Sequence, residues 1–346
     1  MRLLRSKATV TVCLVLAALA GCTGSDGDGA AEPTSTPAPT LSPTRTGPPS
    51  PSPTASPLDP VSIPGLVARD HRGTDLRTRT VLARTDAYTR YAVTYRANGL
   101  TISGIMNVPH GKGPFPALVL AHGYIDPAVY TSGRGLAREQ DRLAREGYVV
   151  LHTDYRNHAG SDRDPDNDVD LRIRYTEDVI GAVLALRGSG RPEIDGDRIG
   201  LLGRSMGGGV VYNVLVVAPG LVDAAVVFAP VSSRPQENLE RFGRGAGDPL
   251  VAETEAKHGS PEENPAFWRA ASPVTYVDRV TEPLLIHHGT ADVVCPPRWS
   301  KETAAAFEAA GKDVQLRTWP GEGHTFGPRW DDSMDVTLAF FARHLR

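Results

Sequence analysis

Residues 198–215 read RIGLLGRSMGGGVVYNVL, and this stretch decides the fold. The apolar run before Gly203 is typical of a short buried strand, and the apolar run that follows the glycines is typical of a packed helix. Ser205 lies between them in a G-x-S-x-G pattern. A strand-to-helix turn this tight needs glycine where backbones approach closely. The pattern predicts a nucleophile elbow that presents the Ser205 hydroxyl at the C-terminal edge of a sheet.

Strand-like and helix-like segments alternate on both sides of this turn. Two alternating runs around Asn98 and Gly99 predict an antiparallel hairpin. Residues 115–121 are almost all apolar, as in a central strand covered on both faces. The other strand-like runs are residues 148–153, 198–202, 224–228, 283–288 and 314–319, and the helix-like runs are residues 135–146, 175–186, 206–217, 297–310 and 334–345. This alternation predicts an α/β fold with a doubly wound, mostly parallel sheet of about eight strands.

Residues 231–279 interrupt this rhythm with polar sequence that contains Gly and Pro. They lie between two predicted core strands, so we expect a small cap insertion that overhangs the C-terminal edge of the sheet. Phe267 and Trp268 within this insertion have two interpretations. They line a substrate pocket, or they anchor the insertion to the core through their large apolar area.

Residues 1–21 have the charge order of a bacterial secretory signal. Three basic residues are followed by an uncharged apolar run that is too short to span a membrane. The run ends in L-A-G-C at residues 19–22, which resembles the lipobox of bacterial lipoproteins, where the cysteine becomes the lipid-modified N-terminus. The sequence therefore predicts lipidation of Cys22 and an extracytoplasmic protein anchored to the cell membrane. The alternative is an ordinary signal peptide with an incidental cysteine.

Residues 22–60 are rich in Pro, Thr and Ser, with ten prolines between Glu32 and Val61. Such a composition cannot bury a core, so it predicts a disordered tether that is followed by one globular domain at residues 61–346. The net formal charge of −3 becomes about −6 without residues 1–21. No basic patch indicates a nucleic-acid partner.

A serine hydroxyl becomes an effective nucleophile only beside a base that is oriented by an acid. Residues 283–292 run from an apolar strand into a loop that ends in Asp292, and residues 314–324 run from the next strand into a loop that ends in His324. Ser205, Asp292 and His324 occur in the chain order of α/β-hydrolases. The pattern predicts that these three residues form a catalytic triad.

The negative oxygen of an acyl-transfer intermediate requires two hydrogen-bond donors. One predicted donor is the backbone N–H of Met206, directly after the nucleophile. The other is the backbone N–H of Tyr124, which follows His122 and Gly123 at the end of a central strand. The sequence therefore predicts an oxyanion hole made of two main-chain groups.

From about Tyr91 to the C-terminus the chain resembles the α/β-hydrolase superfamily, and within it the catalytic domain of prolyl-oligopeptidase-like serine hydrolases. The motifs that carry this resemblance are A-H-G at 121–123, G-R-S-M-G-G at 203–208, N-P at 264–265, S-P at 272–273, H-G-T-A-D at 288–292 and G-E-G-H at 321–324. The resemblance implies the α/β-hydrolase fold and an acyl-enzyme mechanism without a cofactor. Tyr124 stands where the family commonly has a second glycine, which leaves its side chain without an assigned role.

Other reactive side chains have structural interpretations. His287 and His288 are adjacent on a predicted strand, so they point to opposite faces and do not readily share a metal ion. Six aspartates between residues 154 and 170 suggest calcium, but they lack the EF-hand pattern and favour a solvated loop. Cys295 is interpreted as a buried small residue. The sequence indicates no metal and no cofactor.

These features predict a secreted, membrane-anchored serine hydrolase that acts on a small-molecule ester or a short peptide. An esterase is favoured, because about thirty residues between tether and hairpin leave no room for the N-terminal β-propeller of related exopeptidases. The alternative is a dipeptidyl or aminopeptidase-like serine peptidase. Glu262 and Glu263 are candidates to bind its substrate amine, but the default interpretation is that both are solvated at the surface. A further alternative is a non-catalytic lipoprotein binding module on the same fold. The sequence does not indicate an oligomeric state.

Overall fold

A nine-stranded sheet forms the centre of the computed structural model, which describes residues 58–345. The predicted signal peptide, Cys22 and nearly all of the predicted tether lie outside the described residues. The strands are β1 Gly73–Arg84, β2 Tyr88–Ala97, β3 Leu100–Pro109, β4 Phe115–Ala121, β5 Val149–Thr153, β6 Ile194–Arg204, β7 Ala224–Phe228, β8 Leu284–Gly289 and β9 Val314–Trp319.

Nine α-helices accompany the sheet within residues 58–345. They are α1 Ile63–Val67, α2 Ala137–Arg145, α3 Tyr175–Arg187, α4 Met206–Val217, α5 Pro235–Asn238, α6 Leu250–His258, α7 Pro265–Ala270, α8 Pro297–Ala309 and α9 Trp330–His344. A π-helical turn at Leu239–Gly243 and 3₁₀ segments at Arg244–Ala246 and Pro273–Arg279 complete the helical structure. In this part of the chain no helix has both the length and the apolar character needed to cross a membrane.

The strand order is β1-β2-β3-β5-β4-β6-β7-β8-β9. Strands β1, β2, β3 and β5 pair antiparallel in succession, whereas the pairs from β5 through β4 and β6 to β9 are parallel. Parallel strands bring their C-terminal ends to one edge of the sheet, where ligands bind in doubly wound folds. The predicted mostly parallel, doubly wound architecture is confirmed.

The hairpin between β2 and β3 has the predicted turn. Asn98 and Gly99 both have left-handed φ angles, of 46° and 92°, and Ala97 pairs with Leu100 across the turn. Two consecutive positive φ angles give the twist that a two-residue hairpin needs.

Strand β1 is a correction to the expected strand count. Its sequence GTDLRTRTVLAR lacks regular apolar alternation, and most of its side chains are exposed. It forms because β2 offers an unpaired edge to which it adds antiparallel. Charged side chains on such an edge strand also oppose pairing with a second chain.

Two apolar clusters cover the two faces of the sheet. Along β4, Ala117 and Val119 belong to one cluster and Leu118 and Leu120 to the other, as the two-residue period of a strand requires. Helices α1, α3, α4 and α8 pack on the first face, and α2 and α9 pack on the second. Helix α9 begins four residues before the predicted start, at Trp330.

The cap segment, defined as residues 231–279, folds as the short helices α5, α6 and α7 and their connections. The Asp170 carboxylate holds it to the sheet domain, since it accepts from Lys257 Nζ at 2.7 Å and lies 3.1 Å from His258 Nε2. The ring of His258 stacks on Phe267 at a centroid distance of 4.4 Å. Phe267 and Trp268 are 7% and 1% exposed and pack in the core. Their candidate role in the pocket is therefore wrong: they anchor the cap segment.

Candidate active site

Ser205 occupies a strained turn between β6 and α4. Its φ and ψ are 56° and −121°, a left-handed conformation that non-glycine residues rarely adopt. Two main-chain hydrogen bonds hold this conformation: Ser205 N–H donates to Phe228 O at 3.0 Å, and Val231 N–H donates to Ser205 O at 3.1 Å. The predicted elbow geometry is present.

The glycines on both sides of Ser205 have no room for a side chain. A Cβ at Gly203 would lie 2.3 Å from Gly207 O, and a Cβ at Gly207 would lie 2.0 Å from Ala121 O. These obstacles are backbone atoms, one in α4 and one at the end of β4, so they cannot swing aside as a side chain would. The glycines of the sequence pattern thus reflect close backbone packing.

Replacement of Gly207 by alanine is expected to lower the free energy of unfolding by about 3 kcal/mol, because the new methyl group overpacks backbone of β4. Urea unfolding followed by tryptophan fluorescence measures the change. Gly323→Ala is a matched control, since nothing lies within 4 Å of its added Cβ. We expect the control to stay within about 0.5 kcal/mol of the wild type. Equal stabilities for the two variants would contradict the packing argument.

Two loops at the C-terminal edge of the sheet bring Asp292 and His324 together. Ala291 N–H donates to Glu322 O at 2.9 Å, and a Cβ at Gly289 would lie 2.2 Å from the same oxygen. The His324 Nδ1 atom lies 2.9 Å from Asp292 Oδ2. A carboxylate at this distance keeps the proton on Nδ1 and leaves Nε2 free to act as a base.

The Glu322 side chain stiffens the loop that carries His324. It is 3% exposed, and its two oxygens accept from Gly327 N–H at 2.5 Å and Arg329 N–H at 2.6 Å. Hydrogen bonds from the backbone to an ionised group are the stronger kind. The imidazole is therefore carried on a loop that is fixed on both sides.

Four donors surround the buried Asp292 carboxylate. The N–H groups of Val294 and Cys295 donate to Oδ1 at 2.8 and 3.0 Å, while His324 and His288 approach Oδ2 at 2.9 and 3.2 Å. Burial alone would raise the pKa of Asp292, but the hydrogen bonds from the two imidazoles outweigh it and lower that pKa well below its usual range. The carboxylate stays ionised throughout the neutral range.

His288 is a site residue that sequence reasoning missed. Its Nδ1 lies 2.6 Å from Ser300 Oγ, and its Nε2 faces both Cys295 O and the Asp292 carboxylate. Two acceptors at Nε2 require a proton there, so His288 donates to the same oxygen as His324. His287 points to the opposite face of β8, as predicted, and contacts Thr337 of α9. In the sequence, His288 is marked only as the first residue of the H-G-T-A-D motif. Its contact with the Asp292 carboxylate is evident only in the folded loop.

A cavity of about 620 Å³ opens beside the nucleophile. Ser205, Met206, His324 and Tyr124 all line it, together with apolar side chains of the sheet domain and the cap segment. No hydrogen bond joins the Ser205 hydroxyl to His324 within residues 58–345. Such catalytic hydrogen bonds often shorten only in the complex with substrate. Ser205 and His324 thus line the same pocket, and the buried Asp292 contacts His324 outside the lining.

Tyr124 and Met206, whose N–H groups are the predicted oxyanion donors, line the cavity together with Ser205. Met206 is the first residue of α4, so its N–H has no acceptor inside the helix. The Tyr124 N–H follows Gly123, where an added Cβ would lie 3.1 Å from Ser205 Cβ. The Tyr124 side chain is 56% exposed at the pocket mouth, with the Arg172 guanidinium 4.8 Å above its ring. This ring is a pocket wall that the second glycine of the family would not provide.

Cys295 is fully buried, which confirms its predicted burial, and its Sγ lies 4.0 Å from Ser205 Oγ. Burial and the charge of Asp292 raise the pKa of this thiol to about 12. At pH 8 only about one thiol in 10⁴ is then the reactive thiolate. We expect iodoacetamide to modify Cys295 in the native protein at least about 1000-fold more slowly than in guanidinium chloride. Mass spectrometry of the Cys295 peptide measures both rates, and similar rates would contradict this prediction.

The aspartate-rich loop is an ion-pair network, which differs from the expected solvated loop. Asp154 is fully buried and accepts from Tyr130 OH at 2.7 Å and Gly133 N–H at 3.0 Å. Asp164 pairs with Arg156 at 2.9 Å. Across residues 58–345, no group of three or more His, Cys, Asp and Glu side chains is arranged to hold a metal ion.

The family model of the prolyl oligopeptidase family matches residues 136–346, which include all three predicted triad residues. The chain belongs to the prolyl oligopeptidase family. It shares the α/β-hydrolase fold of this family of serine hydrolases, and the match favours an enzyme over the non-catalytic binding module.

Curated relatives of this prolyl oligopeptidase-family chain include two peptidases of Bacillus subtilis (strain 168). The uncharacterized peptidase YuxL is 28% identical over 235 residues, 66% of this chain and 34% of its own length. The uncharacterized peptidase YtmA is 24% identical over 245 residues, 69% of this chain and 87% of its own length. The chain therefore spans about a third of one relative and most of the other.

Solved structures share the fold at low identity. The acylaminoacyl peptidase of Pyrococcus horikoshii matches with a TM-score of 0.60 and 20% identity, over 76% of this chain and 42% of its own. Acetyl xylan esterase 1 from Thermoanaerobacterium sp. matches with a TM-score of 0.59 and 19% identity, over 81% of this chain and 92% of its own. Peptidases and an esterase thus share this prolyl oligopeptidase-family fold.

Proposed function

We propose that this chain is an esterase-like serine hydrolase in which Ser205, His324 and Asp292 form the catalytic triad. The observation that carries the proposal is one apolar pocket lined by both Ser205 and His324, with the imidazole held 2.9 Å from a buried carboxylate. Ser205 Oγ attacks the acyl carbonyl while His324 Nε2 accepts the hydroxyl proton. Asp292 stabilises the imidazolium that forms.

The tetrahedral intermediate places its negative oxygen between the N–H groups of Met206 and Tyr124. Its collapse breaks the bond to the leaving group, which takes the proton from His324 and departs. Water then attacks the acyl-enzyme and gives a proton to His324, which returns it to Ser205 as the acid leaves. Loss of one oxyanion donor typically costs about 3 to 4 kcal/mol in the transition state.

The charges in the pocket support an ester rather than an aminopeptidase substrate. Of the carboxylates that line it, Asp168 is bound to Arg172 at 2.6 Å, and Asp248 accepts from Leu250 N–H at 3.0 Å. Glu262, the candidate amine ligand, is exposed and pairs with Arg244 at 3.0 Å, away from the pocket lining. A substrate ammonium would therefore compete with partners that these carboxylates already have.

A substrate panel tests this choice. We expect turnover of short p-nitrophenyl esters, and little turnover of aminoacyl p-nitroanilides that carry a free amine. Labelling of the purified protein with a fluorophosphonate, followed by peptide mass spectrometry, should locate the adduct on Ser205. Rapid cleavage of the anilides with negligible ester cleavage would reverse the preference.

A serine peptidase is the second candidate, and the family match favours it. YtmA, which the chain covers over 87% of that protein's length, is described as a peptidase. Proline-containing and N-blocked peptide anilides are the substrates that separate this candidate from the esterase. Selective cleavage of those anilides would support it.

We also propose that Cys22 is the lipid attachment site and that the hydrolase acts outside the cytoplasm. The proposal rests on the L-A-G-C sequence at residues 19–22 and the preceding apolar run. Expression of the full chain in a bacterium should give a membrane-bound protein with the mass of attached acyl chains. Cys22→Ser should be released from the membrane fraction, and a wild-type protein without acyl mass would contradict the proposal.

A further inference from the structure

One face of α4 forms a wall of the pocket beside the nucleophile. Met206, Gly209, Val210 and Asn213 line the cavity, and these positions follow the i, i+3, i+4, i+7 spacing of a single helix face. Helix α4 begins directly after Ser205, so this face leads away from the reacting hydroxyl along the helix axis. At a rise of 1.5 Å per residue, Asn213 lies about 12 Å along that axis from Ser205.

The wall around this helix face is apolar for most of its length. Side chains of the cap segment and the sheet domain face the cavity there, among them Val210, Val231, Leu239, Leu250, Val251 and Ala271. A cavity of this size with a largely apolar lining is typical of a site that binds an organic ligand. The apolar lining fits the hydrocarbon body of an acyl group.

Asn213 departs from this apolar lining. Within residues 58–345 its side-chain amide makes no hydrogen bond, although it is only partly exposed. Two other polar side chains of the pocket have protein partners: the Asn238 amide donates to Ser232 O at 2.9 Å, and the buried Arg204 guanidinium pairs with Glu139. An amide supplies both a donor and an acceptor. Asn213 therefore has its hydrogen-bonding capacity available to a ligand in the cavity.

We propose that Asn213 is a specificity-determining residue that binds a polar group at the far end of the acyl chain. The substrate class is an acyl ester with an apolar body and a terminal carboxamide or other neutral hydrogen-bonding group. This inference rests on the proposed esterase function, since it assumes that the acyl group occupies the cavity. The acyl group is the part that stays on Ser205 after the leaving group departs, so a largely apolar cavity beside Ser205 suits it best.

Two esters of equal chain length test the proposal. One is p-nitrophenyl octanoate, and the other is the p-nitrophenyl ester of suberamic acid, which has the same chain and a terminal carboxamide. We expect the wild type to favour the carboxamide ester by at least about tenfold in kcat/KM, and Asn213→Leu to remove or reverse that preference. Asn213→Gln, which keeps the amide, should retain part of the preference.

Two further measurements keep the outcomes separate. Hydrolysis of p-nitrophenyl acetate, whose acyl group is too short to reach Asn213, gives each variant a reference rate against which the rates for the two longer esters are compared. If the wild type does not hydrolyse p-nitrophenyl acetate, the proposed esterase function is wrong. Calorimetric titration of the Ser205→Ala protein with the two longer esters measures the preference without turnover. The preference is the ratio of the two longer esters in kcat/KM or in affinity. If Asn213→Leu leaves that ratio unchanged, the proposed role of Asn213 is wrong.

Discussion

Replacement of Ser205 by alanine is expected to lower kcat/KM for p-nitrophenyl acetate by at least about 10⁴-fold. The change removes the only oxygen that the elbow presents to the acyl carbonyl, while His324 and the two main-chain donors remain. Residual turnover would then come from the oxyanion hole and from binding alone. Initial rates at substrate concentrations well below KM give the ratio directly.

The fold itself should tolerate Ser205→Ala. The variant keeps the Cβ and both main-chain hydrogen bonds of the strained turn, so its unfolding curve should match that of the wild type within about 0.5 kcal/mol. Ser189→Ala, at a serine between α3 and β6 that does not line the pocket, is the matched control and should retain full activity. Substantial activity in Ser205→Ala would show that another residue is the nucleophile.

Replacement of Asp292 by asparagine is expected to lower kcat by about 10⁴-fold. An asparagine amide has one oxygen and one NH₂ group, whereas both Asp292 oxygens accept from donors. If the NH₂ group takes the Oδ1 position, it faces the N–H groups of Val294 and Cys295. If it takes the Oδ2 position, it forces His324 Nδ1 to become an acceptor, and Nε2 then carries a proton and cannot act as the base.

Stability against pH provides a second readout for the same variant. The folded-state pKa of Asp292 is lowered, so its ionised form contributes stability above the unfolded-state pKa of about 3.9. That contribution is lost as the pH falls through the folded-state pKa. The difference in unfolding free energy between wild type and Asp292→Asn should therefore be largest above about pH 4 and shrink below it. Asp197→Asn, at an exposed position near the start of β6, should show no such pH dependence.

The sequence was sufficient to predict those elements that depend only on residues close together in the chain. The turn at Asn98 and Gly99 needs two positive φ angles, and the elbow needs glycines next to Ser205, so both could be predicted from residue type and spacing. Helix α4 and strands β7 and β9 have the predicted bounds for a similar reason.

Features that depend on distant partners were missed. Strand β1 has no apolar alternation and exists because β2 offers an edge, which its own sequence does not indicate. Asp170 reads as part of a solvated loop, yet it is buried because Lys257 and His258 of the cap segment reach it. The helical spacing of Met206 and Asn213 can be recognised in the sequence. The sequence does not show that this face of α4 borders a cavity.

The α/β alternation, the strained serine turn and the order of Ser205, Asp292 and His324 could all be derived from residue type and spacing. These depend on short-range backbone geometry and on strand ends that parallel pairing must bring to one edge. Which side chains share an atom or a cavity depended on the packing of the folded chain. It placed His288 on the Asp292 carboxylate, Phe267 and Trp268 in the core, and Asn213 in the wall of the pocket. Side-chain direction and contact across loops far apart in the chain depend on packing, which no local pattern encodes.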